Sequence, residues 1–267
     1  MKRFSLNQAT TRGWPLPALA EGCVAAGVTQ VGLWREEVQE FGVSATAELM
    51  RSSGLSVTTL CRGGFFDRPD WLSSNVAAIE EAAELGAPVL VLVSGGLPSG
   101  SRDVDAARAH IGESLGALVP YALDAGVQLA IEPLHPMFCS DRCVVSTLAQ
   151  ALDLAEPYPA AAVGVAVDTY HLWWDDTVWS QIARAGAAGR IACFQVADWI
   201  TPLPAGVLLG RGLPGTGCIE LRRFREAVDA TGFTGPIEVE VFNEEVWARP
   251  GLEILADTIE GYRRFVE

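Results

Sequence analysis

The sequence predicts a single (β/α)8 barrel spanning residues 1–267. Three observations predict it. Eight short apolar, β-rich runs recur, at roughly 3–8, 29–34, 55–61, 88–94, 127–132, 162–168, 190–197 and 236–242. An amphipathic helical pattern follows each run. Eight such units in about 250 residues match the size of this architecture, and no linker or low-complexity stretch divides them. A doubly wound open sheet is the alternative, but it needs fewer strands.

The first run sits in MKRFSLNQAT, which has no apolar core of a signal peptide. No later run approaches the roughly 18–20 apolar residues that span a bilayer. A cytoplasmic protein without membrane contacts is expected. The second and third runs lead into Trp34, Glu36, Arg62, Phe65 and Phe66. Such residues after barrel strands form a substrate wall or lid, so Trp34 and Arg62 are candidate substrate-binding residues. Loop packing or a subunit interface is the plain alternative. The fourth run ends in a glycine-rich loop, Gly95 to Gly100. A helix is predicted over 103–125, where Ile111, Leu115, Leu118 and Val119 share one face. Asp103 or Ser101 can cap its start, and Pro120 is expected to kink it late.

The last four runs each carry a polar residue near the C-terminal end: Glu132, Asp168, Gln195 and Glu240. Active sites of this fold lie at those ends. Strand alternation tests their direction. The opposite phase is apolar in every case: Val127, Leu129 and Ile131; Val163, Val165 and Val167; Ala192, Phe194 and Val196; Ile237, Val239 and Val241. That phase packs on the helices, and the polar phase faces the barrel axis beside small residues such as Ala130, Gly164, Ala166 and Cys193. Unpaired carboxylates so close would repel and resist desolvation. A divalent cation removes both problems, and hard oxygen donors favour Mg2+ or Mn2+. A polar layer satisfied by arginines and water is the alternative. Glu238 shares the inward phase one layer deeper; it is the alternative ligand to Glu240, but is expected to pair with an arginine. Asp198 is out of phase with Gln195, which suits a loop hydrogen bond. His135 lines the pocket or caps a loop.

Composition excludes several chemistries. A net charge of -14 disfavours nucleic acid. The one lysine, Lys2, is terminal, which argues against Schiff-base catalysis. Six cysteines form no Cys-x-x-Cys pair, and three histidines cannot build a histidine-rich multi-zinc site. There is no Gly-x-Gly-x-x-Gly after a first strand, no P-loop and no Gly-x-Ser-x-Gly elbow.

The words IEPLHP (131–136), VDTYH (167–171), FQVAD (194–198), RGLPGTG (211–217) and VEVF (239–242) resemble those of the xylose isomerase-like TIM barrels. Within that sugar phosphate isomerase/epimerase group, they are most similar to ketose 3-epimerases of the D-tagatose and D-psicose type. The resemblance implies that Glu132, Asp168 and Glu240 are metal ligands and that Glu132 and Glu240 form the acid/base pair. It implies that His171 and Arg211 bind substrate. The family's histidine ligand falls on Gln195, whose amide oxygen still suits a hard cation but suits zinc less. The implied reaction is proton abstraction beside the carbonyl of a ketose or related polyol, through an enediolate, giving isomerisation or epimerisation. β-Elimination on the same site, making a lyase or dehydratase, and a non-catalytic sugar-binding barrel are the alternatives. A small sugar or polyol is the expected ligand, and a homodimer is expected by analogy with the fold's relatives.

Overall fold

Each of the eight runs carries a strand in a computed structural model of the chain, which describes residues 1–204 and 206–267. The strands are β1 (Phe4–Asn7), β2 (Gln30–Trp34), β3 (Ser56–Gly64), β4 (Val89–Val93), β5 (Gln128–Ile131), β6 (Val163–Asp168), β7 (Ile191–Val196), β8 (Asp198–Trp199), β9 (Arg211–Gly212) and β10 (Ile237–Val239). Strands β1–β7 and β10 close into one barrel, and β8 and β9 form a separate antiparallel ribbon. All barrel neighbours are parallel. The barrel closes where Phe4 lies opposite Ile237 and Leu6 opposite Val239. Helices join successive barrel strands, making a (β/α)8 TIM barrel. Among the described residues no helix is long and apolar enough to cross a membrane.

The helix predicted over 103–125 is Val104–Ala125. The Asp103 side chain caps it, accepting the Ala106 N–H at 2.9 Å. The helix runs through Pro120 and stops at Gly126, whose φ of 67° is the left-handed cap a glycine adopts without strain.

Alternation sorts the barrel residues into two layers. Leu33, Leu60, Leu90, Leu129, Val165, Phe194 and Val239 point outward into the large core beneath the helices. Each such side chain contributes about 1.5–3 kcal/mol on burial. Cys61, Val89, Val91, Ala130, Ala166 and Cys193 form a smaller cluster inside the barrel. Ala192, expected on the outer phase, packs against this inner cluster instead. The β6–β7 register steps from Val165 opposite Ile191 to Ala166 opposite Cys193. Ala192 is therefore the extra residue of a bulge, where alternation resets.

A second bulge affects the mouth. Strand β3 runs to Gly64, three residues beyond the apolar run, and its register steps from Cys61–Val91 to Gly63–Leu92. Arg62 is the extra residue, and the bulge re-aims it toward the open end. Gly64 then passes so close to β4 that a Cβ would lie 2.0 Å from the Val93 carbonyl oxygen. No side chain fits there.

Candidate active site

The barrel's C-terminal end collects the polar strand-end residues. Asp168 is the last residue of β6, Gln195 the last but one of β7, and Glu132 and Glu240 directly follow β5 and β10. All four are buried, none more than 5% exposed. Ligand atoms of Glu132, Asp168 and His171 lie within 4.8 Å of one another. His171 reaches this point because VDTYH turns straight from β6 into a short helix, Thr169–Leu172, which Asp168 itself caps by accepting the Tyr170 N–H at 2.8 Å.

Arg211 supplies the cation that this cluster holds within the chain. Its Nη1 lies 2.6 Å from Glu240 Oε2 and 3.3 Å from Asp168 Oδ2, and its Nη2 lies 3.0 Å from His171 Nε2. The ribbon presents it: Arg211 begins β9, opposite Trp199. Asp198 pins the ribbon and the turn that follows. Its carboxylate accepts the N–H groups of Trp199, Gly215 and Ile219 at 2.9, 3.0 and 2.9 Å.

Glu238 does not pair with an arginine, contrary to expectation. Neutral donors surround it: Asn7 Nδ2 at 2.7 Å, Thr58 Oγ1 at 2.7 Å, Thr59 Oγ1 at 2.9 Å and Gln195 Nε2 at 3.0 Å. The carboxylate also presses on β2, where a Cβ on Gly32 would meet it at 2.5 Å. Its hydrogen-bonding capacity is filled from three strands, β1, β3 and β7, leaving no room for a guanidinium.

This contact orients Gln195. The amide nitrogen is spent on Glu238, and the amide oxygen is buried without a donor. Glu132 Oε1 is buried and undonated as well. Orphaned buried acceptors are costly. The donor set therefore fits a divalent cation. Four carboxylates, at Glu132, Asp168, Glu238 and Glu240, are buried here, Arg211 bonds to only two of them, Asp168 and Glu240, and the two unused acceptors are hard oxygens.

The charges respond to this crowding. Burial, then repulsion from Asp168 and Glu240, holds the Glu132 carboxyl well above the usual range. Burial raises Asp168, opposed by Arg211. Burial also pushes Glu240 up to about 7, again opposed by Arg211. Burial disfavours the Arg211 charge, yet Asp168 and Glu240 outweigh this and keep the group protonated. Burial and the adjacent Arg211 hold His171 neutral. A neutral imidazole accepts at one nitrogen only. Two donors nevertheless aim at this ring, Arg211 at Nε2 and the His135 N–H at Nδ1, the latter at 3.1 Å. One of them must face the ring N–H.

The side chains of the remaining candidates stand apart from this cluster. The His135 ring accepts the Met137 N–H at 3.3 Å and packs tilted against Trp199, with centroids 5.1 Å apart, so it caps a loop. Trp34 and Arg62 line a cleft of about 240 Å3 at the mouth, with Arg12, Arg142 and Phe242. None of the four buried strand-end residues lines it. Phe242 joins the two regions: it borders the cleft, and its ring centroid lies 5.0 Å from the Arg211 guanidinium. Sequence reasoning missed Asn7, Arg12, Arg142 and Phe242. Asn7 had a usable signal, since Ser5 and Asn7 alternate with Phe4 and Leu6 just as the later strands alternate. Phe242 had one as well, since it ends the eighth run in phase with Glu238 and Glu240, whereas Arg12 and Arg142 lie in loops, where no periodicity marks them.

Comparison with known proteins gives three likenesses. A curated 3-dehydroshikimate dehydratase of Pseudomonas aeruginosa is 28% identical over 261 residues, covering 93% of this chain. The chain spans only 39% of that protein's length. A crystal structure of a Sinorhizobium meliloti 1021 protein is 44% identical with a TM-score of 0.95, covering 100% of this chain and 99% of that one. The structure of D-psicose 3-epimerase with D-tagatose, from Clostridium cellulolyticum H10, has a TM-score of 0.79 over 99% of both chains. At 14% identity that last likeness concerns the fold alone. The family profile described as xylose isomerase-like TIM barrel matches residues 21–263, and the chain belongs to that family.

Proposed function

We propose that the chain is an isomerase or epimerase that moves a proton beside the carbonyl of a ketose or related polyol. Glu132, Asp168, Gln195 and Glu240 would hold a divalent cation, Mg2+ or Mn2+ by their oxygen chemistry. The observation that carries this reading is the buried cluster at the barrel's C-terminal end, with its two orphaned acceptors, Glu132 Oε1 and Gln195 Oε1. A cation bound there would polarise a substrate carbonyl and acidify the adjacent C–H.

The chain's own residues divide the remaining work. Glu240, whose charge Arg211 supports from 2.6 Å against the burial that opposes it, takes the proton. Glu132, the other glutamate of the cluster, returns one. Arg211 Nη2 and His171 Nε2, facing each other over 3.0 Å, together hold a substrate oxygen. With Nδ1 accepting the His135 N–H, Nε2 carries the hydrogen, so an acceptor beside the pair takes a hydrogen bond from each. Burial of the whole cluster excludes bulk water from the intermediate.

β-Elimination is the second reading, favoured by the 28% identity to a dehydratase. It needs the same base and differs only in losing a hydroxyl from the carbon next to the carbanion.

The test is solvent deuterium exchange into a panel of ketoses and keto-polyols, with metal content measured on the same protein. About one cation per chain, with exchange that requires it, supports the reading. Retained deuterium without dehydration marks the isomerase, and a conjugated enone absorbing in the ultraviolet marks the dehydratase. Binding of sugars with neither exchange nor product makes the barrel a binding protein and ends the enzyme reading.

A further inference from the structure

Three arginines meet in the mouth cleft from three different parts of the chain: Arg12 after β1, Arg62 in the β3 bulge and Arg142 after β5. In a chain with 19 basic and 33 acidic residues, such grouping is costly unless something answers it. The cleft's own acids answer it poorly. Glu36 reaches Arg62 only at 3.5 Å and is 60% exposed. Glu37 lines the cleft without pairing to any of the three. Among the described residues neither Arg12 nor Arg142 forms an ion pair. Arg142 lies close enough to Arg62 to disfavour its charge, as burial does more strongly.

The guanidinium groups are also braced. Arg62 lies over the rings of Trp34 and Phe65, at 5.2 and 5.0 Å, and Arg12 over Trp247 at 4.9 Å. A guanidinium stacked on an aromatic face keeps its N–H edge free. That edge matches a carboxylate or phosphate in planar, bidentate fashion.

We infer that the mouth cleft is a subsite for an anionic group, so that the substrate is a polyhydroxy ketone bearing a carboxylate or phosphate. The ketone end enters the buried cluster past Phe242, and the anion stays above, between Arg62 and Arg142, with Arg12 at its edge. The inference rests on the proposed function for the identity of the reacting end and on the cleft alone for the charged end.

The test compares three ligands of one carbon skeleton: a neutral ketose, its terminal carboxylate and its phosphate ester. Deuterium exchange is followed with the cation-loaded protein and with Arg62→Gln and Arg142→Gln. At least one charged ligand should exceed the neutral one in kcat/KM. Each substitution should cut that preference roughly tenfold or more, the size expected for one charge-assisted hydrogen bond. Carboxylate against phosphate preference identifies the group. Equal kcat/KM for charged and neutral ligands, or a preference unmoved by both substitutions, overturns the subsite. Calorimetric binding of the same ligands keeps the two ideas separable. Arginine-dependent binding of the anion without any exchange would leave the subsite standing and remove the proposed function.

Discussion

At the scale of the residue, burial favours the protonated form of both glutamates, but their partners differ. Glu240 faces Arg211, while Glu132 faces Asp168 and keeps an oxygen without a donor. Replacing either by glutamine should lower exchange by roughly 10²–10⁴-fold, the range of general acid–base catalysis. Rates within threefold of the parent for both variants would remove them from the chemistry. Gln195 gives a separate prediction. Its partner Glu238 is a carboxylate lying one layer below the proposed cation. In Gln195→His the imidazole could donate one N–H to Glu238 and present its other nitrogen to the metal, the arrangement that strengthens histidine ligation. Zinc affinity should then rise by about 10–100-fold, measured by competition with a chelating dye. An unchanged affinity would place Gln195 outside the coordination sphere.

At the scale of the element, the β8–β9 ribbon decides where Arg211 points. Asp198, 1% exposed, holds it through three backbone N–H groups. Asp198→Ala orphans all three and should cost about 1.5–3 kcal/mol, read as a lower denaturation midpoint. Because Arg211 rides on this ribbon, KM should rise as well, and Asp198→Asn, which keeps an acceptor, should recover part of both losses. A stability loss with KM unchanged would mean that Arg211 is positioned by its carboxylate partners alone. The ribbon was not legible in the sequence, since two-residue strands carry no period. The barrel strands were legible, because Val163, Val165 and Val167 or Ile237, Val239 and Val241 alternate with polar or small residues over a full strand. The bulges at Arg62 and Ala192 were hidden for another reason: a bulge is a property of two strands in register, and one strand's sequence does not contain it. Glu238 shows the same limit in the site. Its inward phase could be read, but its partners Asn7, Thr58 and Gln195 are distant in sequence and meet only when the barrel closes.

At the scale of the whole molecule, the buried carboxylates couple folding to pH. Glu240 rises from an ordinary value of 4.5 to about 7 on folding, and Glu132 and Asp168 are raised as well. The folded chain thus binds protons more tightly than the unfolded chain. For such groups the stabilisation is complete below their ordinary values and is lost as pH rises through the folded ones. The metal-free protein should therefore become less stable between about pH 4.5 and 7 and remain so above, the interval set by Glu240. A divalent cation reverses the sign. It competes with those protons, so its binding should strengthen with pH and release protons. At a concentration 100 times Kd it should add about 2.7 kcal/mol, or roughly 5–10 °C for a chain of this size. Thermal melts from pH 5 to 8.5, with and without Mn2+ or Mg2+, measure both slopes at once. If the cation's effect on Tm is the same at every pH, the ion binds elsewhere on the acidic surface, where carboxylates are already ionised, and the cluster inside the barrel is held by Arg211 alone.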